Sequence, residues 1–250
     1  MLVIKNLHKA FNDKKVLNGV HLEVQEGEIF SVIGMSGTGK SVLLKLIIGL
    51  MRADQGEIWL DGQEITDFTE DEFNAHVRPK MSMVFQEGAL WDSMTIGENI
   101  DLALKIQKHL SEEERRKRIK QSLELVGLPP IEAMYPDELS GGMVKRVAIA
   151  RAIATQPKYL LYDEPTTGLD PVLSNMINEL IIKLNRQLGT TSIVITHDIP
   201  GVERISNRVA MLYKGEIIHV CKAKEIWEQD NEIFNQFIRG KVTFYETETK

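Results

Sequence analysis

The sequence predicts an α/β fold with a parallel sheet, preceded by a β-rich opening third and a helical middle. Three observations predict it. Short strand patterns crowd the first 85 residues, residues 95–154 carry helical spacing of apolar positions without strand signals, and strand and helix patterns alternate from residue 159 onward. Strand, helix, strand in succession implies right-handed crossovers between parallel strands. With 250 residues, one domain with a lobed outline is favoured over two independent ones.

The opening third is predicted to be rich in strands. Alternating apolar residues indicate half-exposed strands, and continuous apolar runs indicate buried ones. The strands are predicted at residues 2–7, 20–24, 29–33, 56–60 and 81–85. A glycine-rich loop and an apolar helix, Lys40 to Leu50, follow the third of them, and Asp71 with Glu72 indicates a helical turn before the last.

Helices are predicted to fill the middle of the chain, and strands return after it. The predicted helices of the middle are Ile96 to Ile106, Ser111 to Val126 and Gly141 to Ala154. The later elements are strands at Tyr159 to Tyr162, Ser192 to Thr196 and Val209 to Tyr213, with a helix from Pro171 to Leu188 between the first two.

Charge and composition restrict the class of protein. Lysine plus arginine number 30 and aspartate plus glutamate 36, so the net charge of −6 argues against a nucleic-acid partner. Cys221 is the only cysteine, which leaves no internal disulfide and favours a reducing compartment. The N-terminus shows no signal-peptide pattern, and the most apolar stretch, Val42 to Met51, is too short to span a bilayer. Any membrane role is therefore expected to come through partner chains.

A glycine-rich loop carries the first chemical signal. Residues Gly34 to Ser41 match the pattern G-x-x-x-x-G-K-[ST] between a buried strand and an apolar helix, where such a loop cradles phosphates with its backbone N–H groups. Lys40 is predicted to reach the β- and γ-phosphates, and the Ser41 hydroxyl to bind Mg²⁺. The predicted nucleotide-binding residues here are Gly34, Met35, Ser36, Gly37, Thr38, Gly39, Lys40, Ser41 and Val42. The alternative is a glycine turn without a ligand.

Two carboxylates follow a later apolar strand. Asp163 and Glu164 come directly after Tyr159 to Tyr162, and strand ends of a parallel sheet open onto the ligand crevice. We expect Asp163 to hold Mg²⁺, through water, and Glu164 to polarise the water that attacks the phosphate. The alternative is a pair of acidic residues that only caps the strand.

A third motif, at residues 139–143, resembles the signature of a known protein family. Leu139-Ser140-Gly141-Gly142-Met143 resembles the signature of ATP-binding cassette (ABC) ATPases, and the resemblance covers nearly the whole chain. It implies a P-loop NTPase fold with a RecA-like parallel core, an N-terminal antiparallel β subdomain and a helical subdomain. It places the ATPase domain at residues 1–240, the helical subdomain at about 88–157 and a tail at 241–250. The cofactors implied are ATP and Mg²⁺.

The resemblance also assigns roles to single residues. It implies that Phe11 stacks on adenine, that Gln86 senses Mg²⁺ and the movement of the helical lobe, and that His197 contacts the γ-phosphate. Glu164, His197, Gln86 and Lys40 form the predicted catalytic set, and Ser41, Gln86 and Asp163 the metal set. The alternatives are a core aromatic for Phe11, a plain loop amide for Gln86 and a structural histidine for His197.

The signature motif predicts a second copy of the chain. Ser140, Gly141 and Gly142 form a further anion-binding device at a helix start, which in the family meets the ATP held by a partner ATPase subunit. The resemblance therefore implies a homodimer, with Asp170 at its interface. Met143 departs from the glutamine that is usual in the family, so a polar contact at that position is not expected.

Two stretches resemble the ATPase subunit of Mla and Mce-associated lipid transporters: Gly39 to Lys45 and Phe85 to Thr95. This narrower resemblance implies phospholipid transport at the cytoplasmic face of the inner membrane, with integral-membrane permease subunits and an Mce-domain lipid-binding subunit as partners. Residues 88–91 are expected to dock the permease, with ordinary packing as the alternative for Trp91. An ATPase for another substrate, such as an amino acid, and a soluble cassette of DNA repair or translation remain alternatives. Phe244 and Tyr245 are expected to strengthen the dimer if the tail is ordered.

Overall fold

The computed structural model describes residues 1–105 and 110–241. They form two compact units, one containing Met1–Asp67 and the described residues from Val194 onward, and the other containing Phe68–Ile193. The predicted helix end at Ile106 and the predicted contacts of Phe244 and Tyr245 lie outside the described residues.

Strands and helices alternate largely as predicted. The described strands are β1 (Leu2–Phe11), β2 (Lys14–Val24), β3 (Ile29–Ile33), β4 (Gln55–Leu60), β5 (Gln63–Glu64), β6 (Met81–Val84), β7 (Tyr159–Asp163), β8 (Thr191–Ile195), β9 (Arg208–Tyr213) and β10 (Glu216–Lys222). The α-helices are α1 (Lys40–Ile47), α2 (Glu70–Glu72), α3 (Ile96–Lys105), α4 (Glu112–Leu125), α5 (Gly141–Ala154), α6 (Pro171–Leu188), α7 (Ile199–Ile205) and α8 (Glu232–Ile238). A π-turn at Phe73–Val77 and 3-10 turns at Pro136–Glu138 and Ala223–Glu228 complete the set.

An antiparallel sheet opens the first unit, with strand order β2-β1-β4-β5. Strand β1 pairs with β2 from Leu2 opposite Val24 onward and with β4 from Leu2 opposite Leu60. Leu2 and Ile4 are buried, as their alternation predicts for a sheet with one face in the core. An irregularity in the strand between Ile4 and Leu7 allows Leu7 to be buried as well.

A parallel pair in the first unit places the glycine-rich loop. Every residue of β3 is buried, and β3 pairs in parallel with β9. The sequence missed β10, which pairs antiparallel with β9. Lys214 (φ 49°) and Gly215 (φ 84°) form the connecting turn, and two successive positive φ angles are what a two-residue hairpin turn requires. A positive φ is unusual for lysine, so the residues of this turn do not match the pairs from which a hairpin is normally predicted.

The second unit contains another parallel pair and the helical middle. Strands β6 and β7 run parallel, with Met81 opposite Tyr159 and Val84 opposite Tyr162. No strand lies among residues 95–105 and 110–154, as predicted. Helices α5 and α6 have the predicted bounds, whereas α4 begins one residue later than predicted because Ser111 caps it from outside the helix.

The first helix ends earlier than predicted. The sequence predicted α1 as far as Leu50, but the helix ends at Ile47. Gly49 has a φ of 75°, and the Leu50 N–H turns back to the Lys45 carbonyl at 2.8 Å. A glycine in the left-handed region ends a helix in this way without steric cost. Within the described part of the chain, no helix combines the length and apolar character that crossing a bilayer requires.

Candidate functional site

The glycine-rich loop connects β3 to α1 and has no room for side chains at two of its glycines. A Cβ on Gly34 would lie 2.3 Å from the Leu212 carbonyl oxygen, and one on Gly39 would lie 2.8 Å from a methyl group of Val16. Gly39 also has a φ of 102° and starts α1 without a side-chain cap. Glycine at these two positions allows the main chain to approach its neighbours this closely, as a phosphate cradle made of backbone N–H groups requires.

Lys40 lies at the start of α1 and is only 5% exposed. Its ammonium donates to the Gly34 carbonyl at 2.9 Å and to the Met35 carbonyl at 2.8 Å, while the Thr38 hydroxyl donates to the same Met35 oxygen at 2.9 Å. These bonds hold the positive charge across the loop. The Lys40 ammonium is thus placed at the residues whose backbone forms the predicted phosphate cradle.

Two further predicted residues of this unit are exposed. Phe11 ends β1 with 43% of its surface accessible, and the Lys9 ammonium lies 5.6 Å from its ring centroid. A core aromatic would be buried, so this exposure argues against that alternative for Phe11. It also leaves a face of the ring available for stacking. His197 is exposed just beyond β8. Its neighbour Asp198 caps α7 by accepting from the Gly201 N–H at 3.0 Å, so a local role accounts for that carboxylate.

The acidic pair lies at the end of β7, as predicted. Asp163 is the last strand residue and is 6% exposed. Glu164 follows in the left-handed region with a φ of 50°. The Thr167 hydroxyl donates to a Glu164 carboxylate oxygen at 3.1 Å, and the Thr167 N–H donates to the Glu164 carbonyl at 3.2 Å. A left-handed glutamate costs free energy, and such backbone strain is concentrated at functional sites.

Gln86 is exposed after β6, and its backbone carbonyl accepts a hydrogen bond from the ammonium of Lys145 on α5. Burial lowers the pKa of Lys145, while the charges of Glu87 and Glu164 act in the opposite direction. Lys145 is 8% exposed. A buried cation therefore lies within electrostatic reach of the candidate catalytic carboxylate.

The signature residues form the start of α5. The Ser140 hydroxyl caps this helix by accepting from the Met143 N–H at 3.4 Å. Gly141 is exposed and a Cβ there would meet only Leu169 at 4.0 Å, whereas a Cβ on Gly142 would approach Leu173 at 3.3 Å. Gly142 accordingly packs closely on Leu173 within the unit, and Gly141 leaves space for a ligand.

Asp170 has a visible local role. Its carboxylate caps α6 by accepting from the N–H groups of Val172 at 2.8 Å and Leu173 at 2.9 Å. It is exposed, as an interface residue must be. Capping and an interface contact are compatible, since a carboxylate accepts several hydrogen bonds.

Three residues of the second unit escaped the sequence analysis as functional candidates: Thr167, Lys145 and Arg151. The available signal was the presence of three cations, Lys145, Arg146 and Arg151, in α5, a helix whose other residues are apolar or glycine. Buried cations need partners, so their presence on a buried helix could have indicated a polar contact.

Oxygen ligands are available for a magnesium ion. Among the described residues no group of three or more His, Cys, Asp or Glu side chains could hold a metal by itself. Mg²⁺ is commonly bound by one or two protein oxygens together with phosphate oxygens and water. Each unit supplies one oxygen donor of this kind, the Ser41 hydroxyl in the first and the Asp163 carboxylate in the second.

Comparison with known proteins identifies relatives over most of the chain. The ABC transporter family model matches residues 17–167. The methionine import ATP-binding protein MetN of Carboxydothermus hydrogenoformans is 44% identical over 87% of this chain and 65% of its own length. The Fe³⁺ import ATP-binding protein FbpC of Pasteurella multocida is 37% identical over 98% of this chain and 68% of its own. This chain thus spans about two thirds of the length of these relatives.

A plant relative matches at similar identity. TRIGALACTOSYLDIACYLGLYCEROL 3, a chloroplastic protein of Arabidopsis thaliana, is 35% identical over 97% of this chain and 74% of its own length. Its name is that of a glycolipid.

Solved structures agree over most of the chain. The ATP-binding cassette MJ0796, solved as a dimer in a post-hydrolysis state with ADP and Pi, has a TM-score of 0.82 and 36% identity over 89% of this chain and 99% of its own. The protein cbiO1 of Clostridium perfringens, part of the ABC transporter complex cbiONQ, has a TM-score of 0.83 and 28% identity over 99% of this chain and 98% of its own.

Proposed function

This chain belongs to the ABC transporter family, and we propose that it is the ATP-hydrolysing subunit of a transporter whose membrane-spanning parts are other chains. The fold class predicted from the sequence is confirmed, since the chain shares its fold with solved ATP-binding cassettes. The single observation that carries the proposal is the backbone-shaped loop at Gly34 to Ser41 with Lys40 held across it. Such a loop suits the phosphates of a nucleotide.

We assign the loop from Gly34 to Ser41 to the binding of ATP, and three oxygen-bearing side chains to the binding of Mg²⁺. Lys40 exchanges its carbonyl partners for phosphate oxygens, and the N-terminus of α1 adds partial positive charge. Ser41, Asp163 and Gln86 are the proposed ligands of Mg²⁺, directly or through water. When bound, Mg²⁺ neutralises charge on the phosphates. Phe11, exposed at the end of β1, is assigned to stacking on the adenine ring.

Glu164 is assigned the role of orienting and polarising the attacking water. Its carboxylate direction is fixed by the Thr167 hydroxyl and by the turn that its own φ of 50° creates. Glu164→Gln keeps the shape but removes the charge, so turnover is expected to fall about 10²–10⁴-fold, as the loss of a positioned base does. ATP binding is expected to persist. A steady-state ATPase assay with a filter-binding control measures both, and parental turnover would contradict this role.

A second copy of the chain is the proposed partner in hydrolysis. The signature end of α5 presents Ser140 and the open side of Gly141, and Asp170, which follows the Leu169 that lies 4.0 Å from a Gly141 Cβ, is also exposed. The solved relative MJ0796 is a dimer. Glu164→Gln is expected to trap the dimer in Mg-ATP, because binding without hydrolysis keeps two chains around the nucleotides. Light scattering that shows only monomer under these conditions would contradict the proposal.

The segment around Trp91 is the proposed docking surface for a permease at the cytoplasmic face of the membrane. The Trp91 side chain is 58% exposed, whereas ordinary packing within the helical region would bury it. Its backbone is nevertheless fixed, because the buried Asn99 side chain accepts from the Trp91 N–H at 2.7 Å and donates to the Trp91 carbonyl at 3.0 Å. A large exposed ring on a rigid backbone is typical of an interface anchor.

Replacing the ring tests the docking surface. Trp91→Ala is expected to lower the yield of co-purified permease by at least about tenfold, the usual effect of removing an aromatic anchor. The matched control is Trp227→Ala, since Trp227 is also exposed, at 38%, and lies in the other unit. Equal permease yields from the two variants would remove the assignment.

Relatives favour a small-solute importer as the kind of transporter. Those named for methionine import and for Fe³⁺ import span 87% and 98% of this chain. They support the alternative of an amino acid or similar solute over the lipid transport that the sequence first suggested. The test is the identity of the chains that co-purify with it: a permease and a solute-binding protein that together take up methionine or Fe³⁺ in reconstituted vesicles.

Lipid transport remains a second candidate because of one specific observation. A relative that spans 97% of this chain carries the name of a glycolipid, and the stretches Gly39 to Lys45 and Phe85 to Thr95 resemble the ATPase of Mla and Mce-associated systems. In that case an Mce-domain subunit and bound phospholipid co-purify. Mass spectrometry of the purified complex separates the two candidates, since a small-solute importer brings a solute-binding protein instead.

A further inference from the structure

The backbone that follows Gln86 lies unusually close to helix α5. Gly88 has a φ of 78°, and a Cβ there would lie 3.1 Å from a methyl group of Val144 and 3.5 Å from the Ala148 Cβ. Only a glycine allows the segment to approach the helix this closely without displacing these side chains. The segment from Gln86 to Ala89 therefore packs on α5 through its main chain.

Two cations of α5 bind carbonyl groups of the same segment. Lys145 donates to the Gln86 carbonyl. The Arg151 guanidinium donates to the Gly88 carbonyl and to the Ala89 carbonyl, each at 2.6 Å. Three carbonyls among four successive residues are thus bound by one helix. Hydrogen bonds from charged donors are stronger than neutral ones, and the planar guanidinium fixes the direction of two carbonyls at once.

We propose that Arg151, assisted by Lys145, is a positioning residue that holds the Gln86 to Ala89 segment on α5 so that both move as one body. The proposal rests on the function proposed above for Gln86 and for the signature residues. Helix α5 is continuous from Gly141, so about 15 Å of rigid helix separates Gly141 from Arg151 at about 1.5 Å per residue. The segment ends close in sequence to the proposed permease-docking residue Trp91. When the segment moves, α5 moves with it as a rigid helix, and the signature residues at the start of α5 are displaced by the same movement.

The attachment itself is tested by amide hydrogen exchange on the full chain. Arg151→Met removes both bonds to the segment while keeping an unbranched side chain. Amides in peptides covering residues 85–91 are expected to exchange at least about tenfold faster, because two charge-assisted bonds are lost. Peptides covering β7 are expected to be unchanged. The control is Arg116→Met, whose parent side chain is 77% exposed on α4 and pairs with Glu112. Unchanged exchange at residues 85–91 would overturn the proposal.

A double-mutant cycle tests whether Arg151 acts through Gln86. Arg151→Met is expected to lower kcat about tenfold, with KM for ATP within about twofold, because the phosphate loop keeps its own contacts. In a Gln86→Ala background the same change is expected to lower kcat less than about twofold further, since the group that it positions is gone. A full further tenfold loss would mean that Arg151 acts by another route, and the proposal would be wrong.

Failure of this inference is distinguishable from failure of the proposed function. Glu164→Gln tests hydrolysis without touching Arg151 or the segment. If Glu164→Gln abolishes turnover and Arg151→Met has parental exchange and kcat, only the positioning role is rejected. If Glu164→Gln turns over at the parental rate, the proposed mechanism is rejected, and the exchange measurement still decides whether α5 holds the segment.

Discussion

Replacing Thr167 by valine isolates the hydrogen bond that orients the candidate catalytic carboxylate. The Thr167 hydroxyl donates to a Glu164 carboxylate oxygen at 3.1 Å, while its N–H donates to the Glu164 carbonyl at 3.2 Å. Thr167→Val keeps the branched shape and the backbone bond but removes the hydroxyl. Any change in turnover then reports the side-chain bond alone.

The size of the effect follows from the nature of the bond. A hydrogen bond to a charged group contributes about 1.5–3 kcal/mol when it is shielded from water. Thr167 and Glu164 are both half-buried, so water competes for the carboxylate and the lower end of that range applies. About 1.4 kcal/mol corresponds to a tenfold change in rate. We therefore expect kcat for ATP to fall about tenfold, with little change in KM.

Steady-state ATPase measurements at saturating Mg-ATP test this expectation. Thr167→Ser serves as the control, since serine retains the hydroxyl at the same position and should keep most of the activity. The thermal midpoints of both variants should match that of the parent, because a half-buried methyl-for-hydroxyl exchange is mild. If Thr167→Val turns over within about twofold of the parent, or Thr167→Ser is equally impaired, the orienting role of Thr167 is wrong.

Three further predictions concern other parts of the chain. Gly34→Ala places a methyl group 2.3 Å from the Leu212 carbonyl oxygen, so calorimetry should show a thermal midpoint about 5 °C lower than that of the parent. The variant should also lose ATP binding. An unchanged midpoint would contradict the tight packing. His197→Ala should lower kcat about 10²-fold, as the loss of one charge-stabilising donor does. The thermal midpoint should not change, because His197 is exposed. A parental kcat would contradict a catalytic role for His197. Burial acts to raise the pKa of Asp101, but hydrogen bonds from Arg115 and Lys105 outweigh it and lower the pKa below its ordinary 3.8. The ion pair therefore stabilises the fold fully above its ordinary pKa of 3.8, and this contribution is lost progressively as the pH falls through the lower pKa of the folded state. Asp101→Asn should accordingly cost about 1 kcal/mol in urea unfolding at pH 7 and clearly less near pH 3. An equal cost at both pH values would contradict this linkage.

Local patterns allowed most elements to be predicted. Helices α5 and α6 have the predicted bounds, because apolar spacing and N-capping residues are both encoded within a few residues. Strand β10 was missed because its turn uses a lysine at φ 49°, which sequence rules do not expect. Helix α1 was predicted too long because the apolar pattern continues past Gly49, whose left-handed conformation ends the helix.

The sequence by itself determined the family and the candidate residues whose chemistry is local. The loop from Gly34 to Ser41 and the carboxylates of Asp163 and Glu164 are readable because a phosphate cradle and a strand end depend on adjacent residues. Only the tertiary structure decided which side chains hold these parts in place. Arg151 meets the Gly88 carbonyl across 63 positions of sequence, and whether such distant groups meet depends on how α5 packs, which no local pattern contains.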